Sequence, residues 1–190
     1  MTFKSHYPFK CILKYIPKRY TNLKDWQLAN QKAVCDFKNG KISPKYKLKI
    51  LNAVKEVAGP DTSDCILCFI PASTRKRHFM RYGELSRFLQ ENLDFPVMLD
   101  AIVGCDRDSV HLKEDLPHNN EILYDFIFNV KFENKRVILF DDVITTGKSL
   151  SDFGFFLKES GASSVYGVIF AMTIHPNLPF TYKNKKPMRK

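Results

Sequence analysis

The chain has 190 residues, of which 44% are hydrophobic and 26% are charged, a balance that is ordinary for a protein with a buried core. It has no apolar run of the roughly 18 residues that a membrane-spanning helix needs, and residues 1–10 lack the apolar core of a signal peptide. Five cysteines without framework spacing argue for reduced thiols and against a secreted disulfide scaffold. We therefore expect a compact cytoplasmic protein that does not enter a membrane.

The formal charge of +10 is concentrated at the two ends of the chain. Residues 1–50 carry 12 Lys and Arg against two acidic residues, residues 51–182 carry 13 basic and 18 acidic residues, and the last eight residues add five cations. Basic ends of this kind suit phosphorylated ligands, an acidic partner or nucleic acid, and they are equally consistent with a solvated lysine-rich face.

The N-terminal third predicts an extended start followed by two helices. Aromatic residues, two prolines and lysines between residues 3 and 20 suit short strands more than a helix. Apolar residues at helical spacing predict a helix over residues 24–37, which Asn39-Gly40 would end. A second helix is predicted from Ser43, as its N-cap, to Gly59-Pro60.

Short apolar runs follow, and they have the pattern of strands that are buried on both faces. They lie at residues 65–70, 97–103, 137–140 and 165–172, with helical patterns at residues 82–92 and 148–160. This alternation predicts an α/β fold with an open, mainly parallel, twisted sheet flanked by helices. Ligands of such sheets bind beyond the carboxyl ends of the strands. Residues 104–132 form a candidate functional loop.

The strongest chemical signal is the segment VILFDDVITTGKS at residues 137–149. Its strand would bring Asp141 and Asp142 to the carboxyl edge of the sheet, where two acids can bind a ligand's hydroxyls directly or through hydrated Mg²⁺. Small residues and Gly147 would then let backbone N–H groups close on a phosphate at a helix N-terminus. A ribose 5-phosphate carries vicinal hydroxyls at one end and a phosphate at the other, so it fits both halves.

Two other nucleotide-binding interpretations explain this segment less well. A P-loop needs a glycine five residues before its Gly-Lys pair, and Asp142 holds that position. An ATPase strand that ends in acids needs a P-loop elsewhere, and the sequence has none.

All thirteen positions resemble the signature of the type I phosphoribosyltransferases, which bind phosphoribosyl pyrophosphate. The resemblance implies that Asp141 and Asp142 are catalytic residues that contact the ribose hydroxyls and hold Mg²⁺, through water. The implied reaction transfers the phosphoribosyl group to a nitrogen acceptor, either a nucleobase or an amine, and releases pyrophosphate. The loop implied to bind the 5′-phosphate consists of Thr145, Thr146, Gly147, Lys148 and Ser149.

The segment FIPASTRKR at residues 69–77 resembles the pyrophosphate loop of the same family. Cations there would stabilise the charge that develops on the leaving group as the C1–O bond breaks. Taken alone, three consecutive cations are more often a solvated surface run. The candidate pyrophosphate ligands are Ser73, Thr74, Arg75 and Lys76.

Residues 77–85 are most similar to the ComF-like subgroup, which is associated with competence and with amidophosphoribosyltransferases. The chain lacks that subgroup's four-cysteine zinc module, because Cys11 and Cys35 have no close partners in the sequence. Cys65 and Cys68 have CxxC spacing but lie in an apolar run, which favours core thiols over a metal or redox pair.

The resemblance divides the chain into three parts and implies a small hood, built from the terminal segments, that recognises the acceptor. Residues 1–60 would be a basic helical and hood segment, residues 61–174 the phosphoribosyltransferase core, and residues 175–190 a hood strand with a basic tail. The resemblance is also compatible with a homodimer. The competing class is a non-catalytic binder of phosphoribosyl pyrophosphate that acts as a regulator, or a ComF-like accessory protein whose basic N-terminal segment contacts nucleic acid.

Overall fold

The computed structural model describes residues 5–104 and 126–175. None of the helices in these two ranges is long and apolar enough to span a bilayer. In chain order the elements are β1 (Phe9–Tyr15), α1 (Asp25–Lys38), α2 (Pro44–Ala58), β2 (Cys65–Phe69), α3 (Arg75–Asn92), β3 (Val97–Met98), β4 (Ile102–Gly104), β5 (Phe126–Phe128), β6 (Arg136–Ile144), α4 (Lys148–Glu159) and β7 (Ser164–Thr173).

Five strands form a parallel sheet in the order β1-β7-β6-β2-β3, with β6 at its centre. β6 runs beside β2 from the pair Arg136 and Cys65 to the pair Phe140 and Phe69. Because the strands are parallel, both run toward the same edge of the sheet, and β6 continues to Ile144, beyond the end of β2. The predicted open parallel sheet flanked by helices is confirmed.

Two apolar layers cover this sheet. On one face α1, α2 and α3 pack side chains such as Phe37 and Leu85 against Phe69 and Phe140. On the other face α4 packs Leu150 and its apolar neighbours against the sheet. β2 is buried along its whole length, which explains why its sequence is apolar throughout instead of alternating. Truncation of a buried core aromatic such as Phe69 or Phe140 to alanine would lower the free energy of unfolding by about 3–5 kcal/mol.

The N-terminal segment contributes both a strand and helical cover to this sheet. β1 pairs in parallel with β7, from Phe9 opposite Gly167 to Tyr15 opposite Thr173. Gly167 allows the close approach, since a Cβ there would lie 2.7 Å from the Cβ of Phe9. The predicted extended start and both predicted helices are therefore present, and they belong to the same folded unit as the central strands.

Three predicted elements have different bounds in the structure. Residues 97–103 form two short strands, because a turn at Leu99 and Asp100 separates β3 from β4, which pairs with β5 in an antiparallel ribbon. α3 begins at Arg75 and not at residue 82, since Thr74 caps it. β6 continues through the acid pair to Ile144.

The described cysteines are free thiols, as predicted: Cys11, Cys35, Cys65 and Cys68. Burial raises the pKa of Cys68 to about 12, which keeps this thiol protonated and unreactive. Within residues 5–104 and 126–175, no group of three or more His, Cys, Asp or Glu side chains is placed to hold a metal ion. Cys65 and Cys68 are buried in the two apolar layers of the sheet, so the CxxC pair is part of the core.

Candidate functional site

The carboxyl edge of the sheet brings together the three segments that the sequence marks as ligand-binding. β6 carries the acid pair and leads through residues 145–147 into α4. Its neighbour β2 leads through residues 70–74 into α3. Because β2 and β6 pair in parallel, the two loops leave the same edge next to each other. This is the edge at which open α/β sheets bind ligands.

The loop between β6 and α4 turns on a left-handed glycine. Gly147 is the N-cap of α4 and has a φ of 85°, a conformation that favours glycine. Thr145, Thr146, Lys148 and Ser149 are exposed around it. The first turn of a helix presents backbone N–H groups and the positive end of the helix dipole, so this loop can bind a phosphate.

Two side chains of this loop contact neighbouring residues. Thr145 Oγ1 lies 3.2 Å from Thr173 Oγ1 at the end of β7, which joins the loop to the adjacent strand. Lys148 Nζ lies 2.7 Å from Asp152 Oδ2, so its ammonium is directed along α4. The backbone N–H of Lys148 donates to Thr146 Oγ1 at 3.3 Å. The other backbone N–H groups of the loop and its hydroxyls are the donors that it can offer to an anion.

The predicted pyrophosphate residues divide between a turn and the start of α3. Ser73 and Thr74 lie in the turn, and Arg75 and Lys76 are the first residues of the helix. Arg77 fixes the turn, because its backbone N–H donates to Thr74 Oγ1 at 3.2 Å and its Nη1 donates to Ser73 Oγ at 3.1 Å. Exposed cations at a helix N-terminus oppose the helix dipole, so a bound anion would relieve that repulsion.

A buried histidine ties this turn to the segment after β3, and no motif in the sequence singles it out. His78 Nε2 lies 2.7 Å from the carbonyl oxygen of Leu99, and the backbone N–H of Ala72 donates to Nδ1 at 3.4 Å. Both bonds form together only when the imidazole is neutral with its proton on Nε2. Burial lowers the pKa of His78, and the bond to Leu99 opposes that shift.

The acid pair lies near the carboxyl end of the central strand and is almost entirely buried. Asp141 is 8% exposed and Asp142 is 6% exposed. The backbone N–H of Asp142 donates to Asp141 Oδ1 at 2.8 Å. Asp142 Oδ2 lies 2.8 Å from Arg81 Nη1 on α3 and 3.9 Å from Lys38 Nζ on α1. Two helices therefore bring cations to one oxygen of the second acid.

The first acid is in a different electrostatic environment. Burial, and then the charge of Asp142, raise the pKa of Asp141 well above its usual range. Two carboxyl groups this close do not readily both ionise in a buried site. The charged form of Asp141 is therefore less favourable here than that of an exposed aspartate.

These two residues fit Mg²⁺ held through water better than Mg²⁺ bound directly. In phosphate-binding sites this ion usually takes one or two carboxylates and completes its shell with waters and ligand phosphate oxygens. Direct binding by Asp142 Oδ2 would place the ion against the guanidinium of Arg81, whose Nη1 lies 2.8 Å from that oxygen. An ion held through water would avoid this repulsion.

Tyr82 adjoins Arg81 and extends the surroundings of the acid pair into the core. Its side chain is fully buried, with its ring 5.2 Å from that of Phe69 and 6.0 Å from that of Phe140 between centroids. Burial, and then the charges of Asp142 and Asp141, raise the pKa of Tyr82 well above its usual value. The spacing of His78, Tyr82 and Leu85 would have shown that this side of α3 is buried.

Part of the predicted site lies outside the described residues. This applies to most of the candidate loop at residues 104–132 and to residues 176–190 of the predicted hood strand and tail.

No family model matches the chain, and no curated protein matches it. Among solved structures, it is similar to a hypoxanthine phosphoribosyltransferase from Staphylococcus aureus, with 11% identity, 76% of each chain covered and a TM-score of 0.44. It is also similar to a purine phosphoribosyltransferase from Pyrococcus horikoshii Ot3, with 15% identity, 92% of this chain and 99% of that chain covered, and a TM-score of 0.40. A hypoxanthine-guanine phosphoribosyltransferase from L. donovani is 16% identical over 73% of this chain and 71% of that chain, with a TM-score of 0.42. Similarity of this degree assigns neither a family nor an activity, so the functional inference rests on the residues of the site.

Proposed function

We propose that the chain is a phosphoribosyltransferase that binds phosphoribosyl pyrophosphate with Mg²⁺ and transfers the phosphoribosyl group to a nitrogen acceptor, a nucleobase or an amine. The observation that carries the proposal is the convergence of three elements at one sheet edge: the acid pair, the helix N-terminus at Gly147, and the turn before α3 together with the cations that begin that helix. These elements match the three parts of the ligand, which are the ribose hydroxyls, the 5′-phosphate and the pyrophosphate.

The reaction needs positioning and charge stabilisation more than covalent help from the protein. The acceptor nitrogen attacks C1 of the ribose, the C1–O bond breaks, and the bonding electrons leave with pyrophosphate, which inverts the configuration at C1. Asp141 and Asp142 would hold the ribose, and the loop of residues 145–149 would hold the phosphate. Arg75 and Lys76 would stabilise the negative charge that grows on the leaving group. Mg²⁺, when bound, would neutralise part of that charge.

A calorimetric titration with phosphoribosyl pyrophosphate and Mg²⁺ tests this proposal. We expect saturable heat in the wild type and its loss in the Asp141→Asn, Asp142→Asn double variant. Asp61→Asn, Asp94→Asn is the matched control, because it changes the net charge equally at two exposed acids near the opposite edge of the sheet. Absence of heat in the wild type, or equal heat in the wild type and the site variant, would overturn the proposal.

The stability of the site variant must be measured in the same series. Asp142→Asn removes the charge that faces Arg81 and leaves the guanidinium uncompensated, so we expect the free energy of unfolding to fall by about 3–5 kcal/mol. Thermal unfolding will show whether the variant is folded at the titration temperature. Turnover is then measured as pyrophosphate release that depends on an added nucleobase or amine.

A second candidate is a non-catalytic binder or a ComF-like accessory protein that contacts nucleic acid. It is favoured by the distribution of lysines over α1 and α2. Some are paired with carboxylates, as Lys32 is with Asp36 and Lys47 with Glu84. Lys45 and Lys49 are instead exposed on α2, where they can meet a polyanion. The salt dependence of nucleic-acid binding tests this candidate.

A further inference from the structure

Arg81 directs its guanidinium from α3 toward the acid pair. Its Nη1 lies 2.8 Å from Asp142 Oδ2, and the two side chains are only 15% and 8% exposed. The contact is close enough for an ion pair but is not aligned as a hydrogen bond, since Asp142 Oδ2 and Arg81 Nε are both buried without a hydrogen-bond partner among the described residues. Two buried charges of opposite sign therefore compensate each other, and removal of either would leave the other uncompensated.

This contact decides which oxygen of Asp142 a ligand can reach. Oδ2 is shielded from solvent and faces Arg81, while the Lys38 ammonium on α1 lies 3.9 Å away. A ligand hydroxyl must therefore approach Oδ1 or displace a buried guanidinium. Arg81 on α3 and Lys38 on α1 together set the orientation of the Asp142 carboxylate about its Cβ–Cγ bond.

The guanidinium is itself held by the aromatic core. Its Cζ lies 5.8 Å from the centroid of the Tyr82 ring, and Tyr82 packs between Phe69 and Phe140. A planar guanidinium over an aromatic ring is oriented more tightly than a lysine ammonium on a flexible stem. The orientation of Asp142 is thus linked, through Arg81, to the packing of the core beneath the sheet edge.

We propose that Arg81 is a positioning residue for the acid pair: it fixes the oxygen that Asp142 presents to the ligand, and it thereby sets the preference of the site for a ribose with both hydroxyls over a deoxyribose. The inference rests on the proposed function, because it assigns the acid pair to the ribose.

The test compares the binding of ribose 5-phosphate with that of its 2-deoxy and 3-deoxy forms by calorimetry. A hydrogen bond to a charged group contributes about 1.5–3 kcal/mol, so we expect the wild type to bind ribose 5-phosphate about tenfold or more tightly than at least one deoxy form. In Arg81→Gln we expect this ratio of dissociation constants to fall to within about twofold of one. Binding of the deoxy form itself should change little, because the phosphate loop is intact.

Arg87→Gln is the matched control, because Arg87 lies on the same helix with an exposed side chain and should keep the wild-type ratio. A purely structural role for Arg81 would lower the folded fraction and the number of binding sites but would leave the ratio unchanged. Should Arg81→Gln fail to fold, Arg81→Lys gives the same readout, because it keeps the positive charge but replaces the planar guanidinium with an ammonium.

The two proposals fail in different ways. Wild-type protein that binds neither phosphoribosyl pyrophosphate with Mg²⁺ nor any of the three sugar phosphates would overturn the proposed function. Wild-type protein that prefers ribose 5-phosphate, together with Arg81 variants that keep the same preference, would overturn only the role of Arg81. Wild-type protein that binds all three ligands equally would also overturn the role of Arg81, since there would be no preference to set.

Discussion

A single neutral imidazole joins the turn before α3 to the segment after β3. His78 can accept from Ala72 and donate to Leu99 only while it carries one proton. Its pKa is lowered by burial and by the charge of Arg81 on its own helix, while the bond to Leu99 and the charge of Asp100, beyond β3, act in the opposite direction. The unfolded chain therefore takes up this proton at a higher pH than the folded chain does.

From this order of protonation we expect acid to destabilise the protein through His78. The contribution of the neutral imidazole is fully present above its unfolded pKa of about 6.5 and is lost as the pH falls through the lower folded value. Thermal unfolding at pH 7 and pH 5 measures this loss, with His78→Gln as the comparison, because glutamine can still donate to Leu99 and does not titrate. The same pH-dependent loss in both proteins would contradict the assignment.

The sequence predicts the acid pair and Gly147 but not the residues that hold them in place. A contiguous motif marks the acids, the loop and the start of α4, because strand, turn and helix are local there. Arg81 and His78 act through contacts with residues on other elements, Asp142 and Leu99. Helical periodicity can show that one side of α3 faces the core, but it does not identify the partner across the sheet.

Two glycines near the site have opposite steric environments. Gly83 lies inside α3, and a Cβ there would meet nothing within 4 Å. Gly40 ends the turn after α1 with a φ of +76°, and a Cβ there would lie 2.3 Å from the carbonyl oxygen of Met80. The first glycine is therefore open to substitution, whereas the second is required where the turn packs against α3.

We expect Gly83→Ala to raise the free energy of unfolding by about 0.5–1 kcal/mol, because alanine has the higher helix propensity. Gly40→Ala should lower it by more than about 1 kcal/mol, since it combines a strained φ with a backbone clash. The midpoints of denaturant unfolding measure both changes. Shifts of the same sign in the two variants would show that one of these environments is wrongly described.

At the scale of elements, prediction succeeds where the pattern is local and fails where an end is set by a cap or a turn. β2 is recognisable because its run is wholly apolar, and β7 because its interior, residues 165–172, has no charged residue and is mostly buried. The start of α3 is missed because its first residues are cations without apolar periodicity, and the Thr74 cap is what begins the helix. The turn at Leu99 and Asp100 divides a run that is continuous by composition.

At the scale of the whole molecule, the basic N-terminal segment is folded onto the sheet that carries the candidate site. β1 extends the sheet beside β7, and α1 reaches the acid pair through Lys38. Removal of this segment would therefore remove core contacts together with charge. Substitution of exposed lysines is the sharper way to separate polyanion binding from ligand binding.

We expect the triple variant Lys24→Gln, Lys45→Gln, Lys49→Gln to separate the two, since all three side chains are exposed on or next to α1 and α2. If these lysines contact duplex phosphates, the plot of log affinity against log salt should lose about 0.9 of slope for each contacting lysine removed. The affinity for phosphoribosyl pyrophosphate should stay at the wild-type value, because the three lysines lie outside the candidate site.

Conversely, the Asp141→Asn, Asp142→Asn variant should lose its affinity for phosphoribosyl pyrophosphate and retain any affinity for nucleic acid. Nucleic-acid affinity that is absent, or that does not depend on salt, would rule out the accessory function, and a parallel loss of both affinities in the lysine variant would mean that these lysines belong to the ligand site.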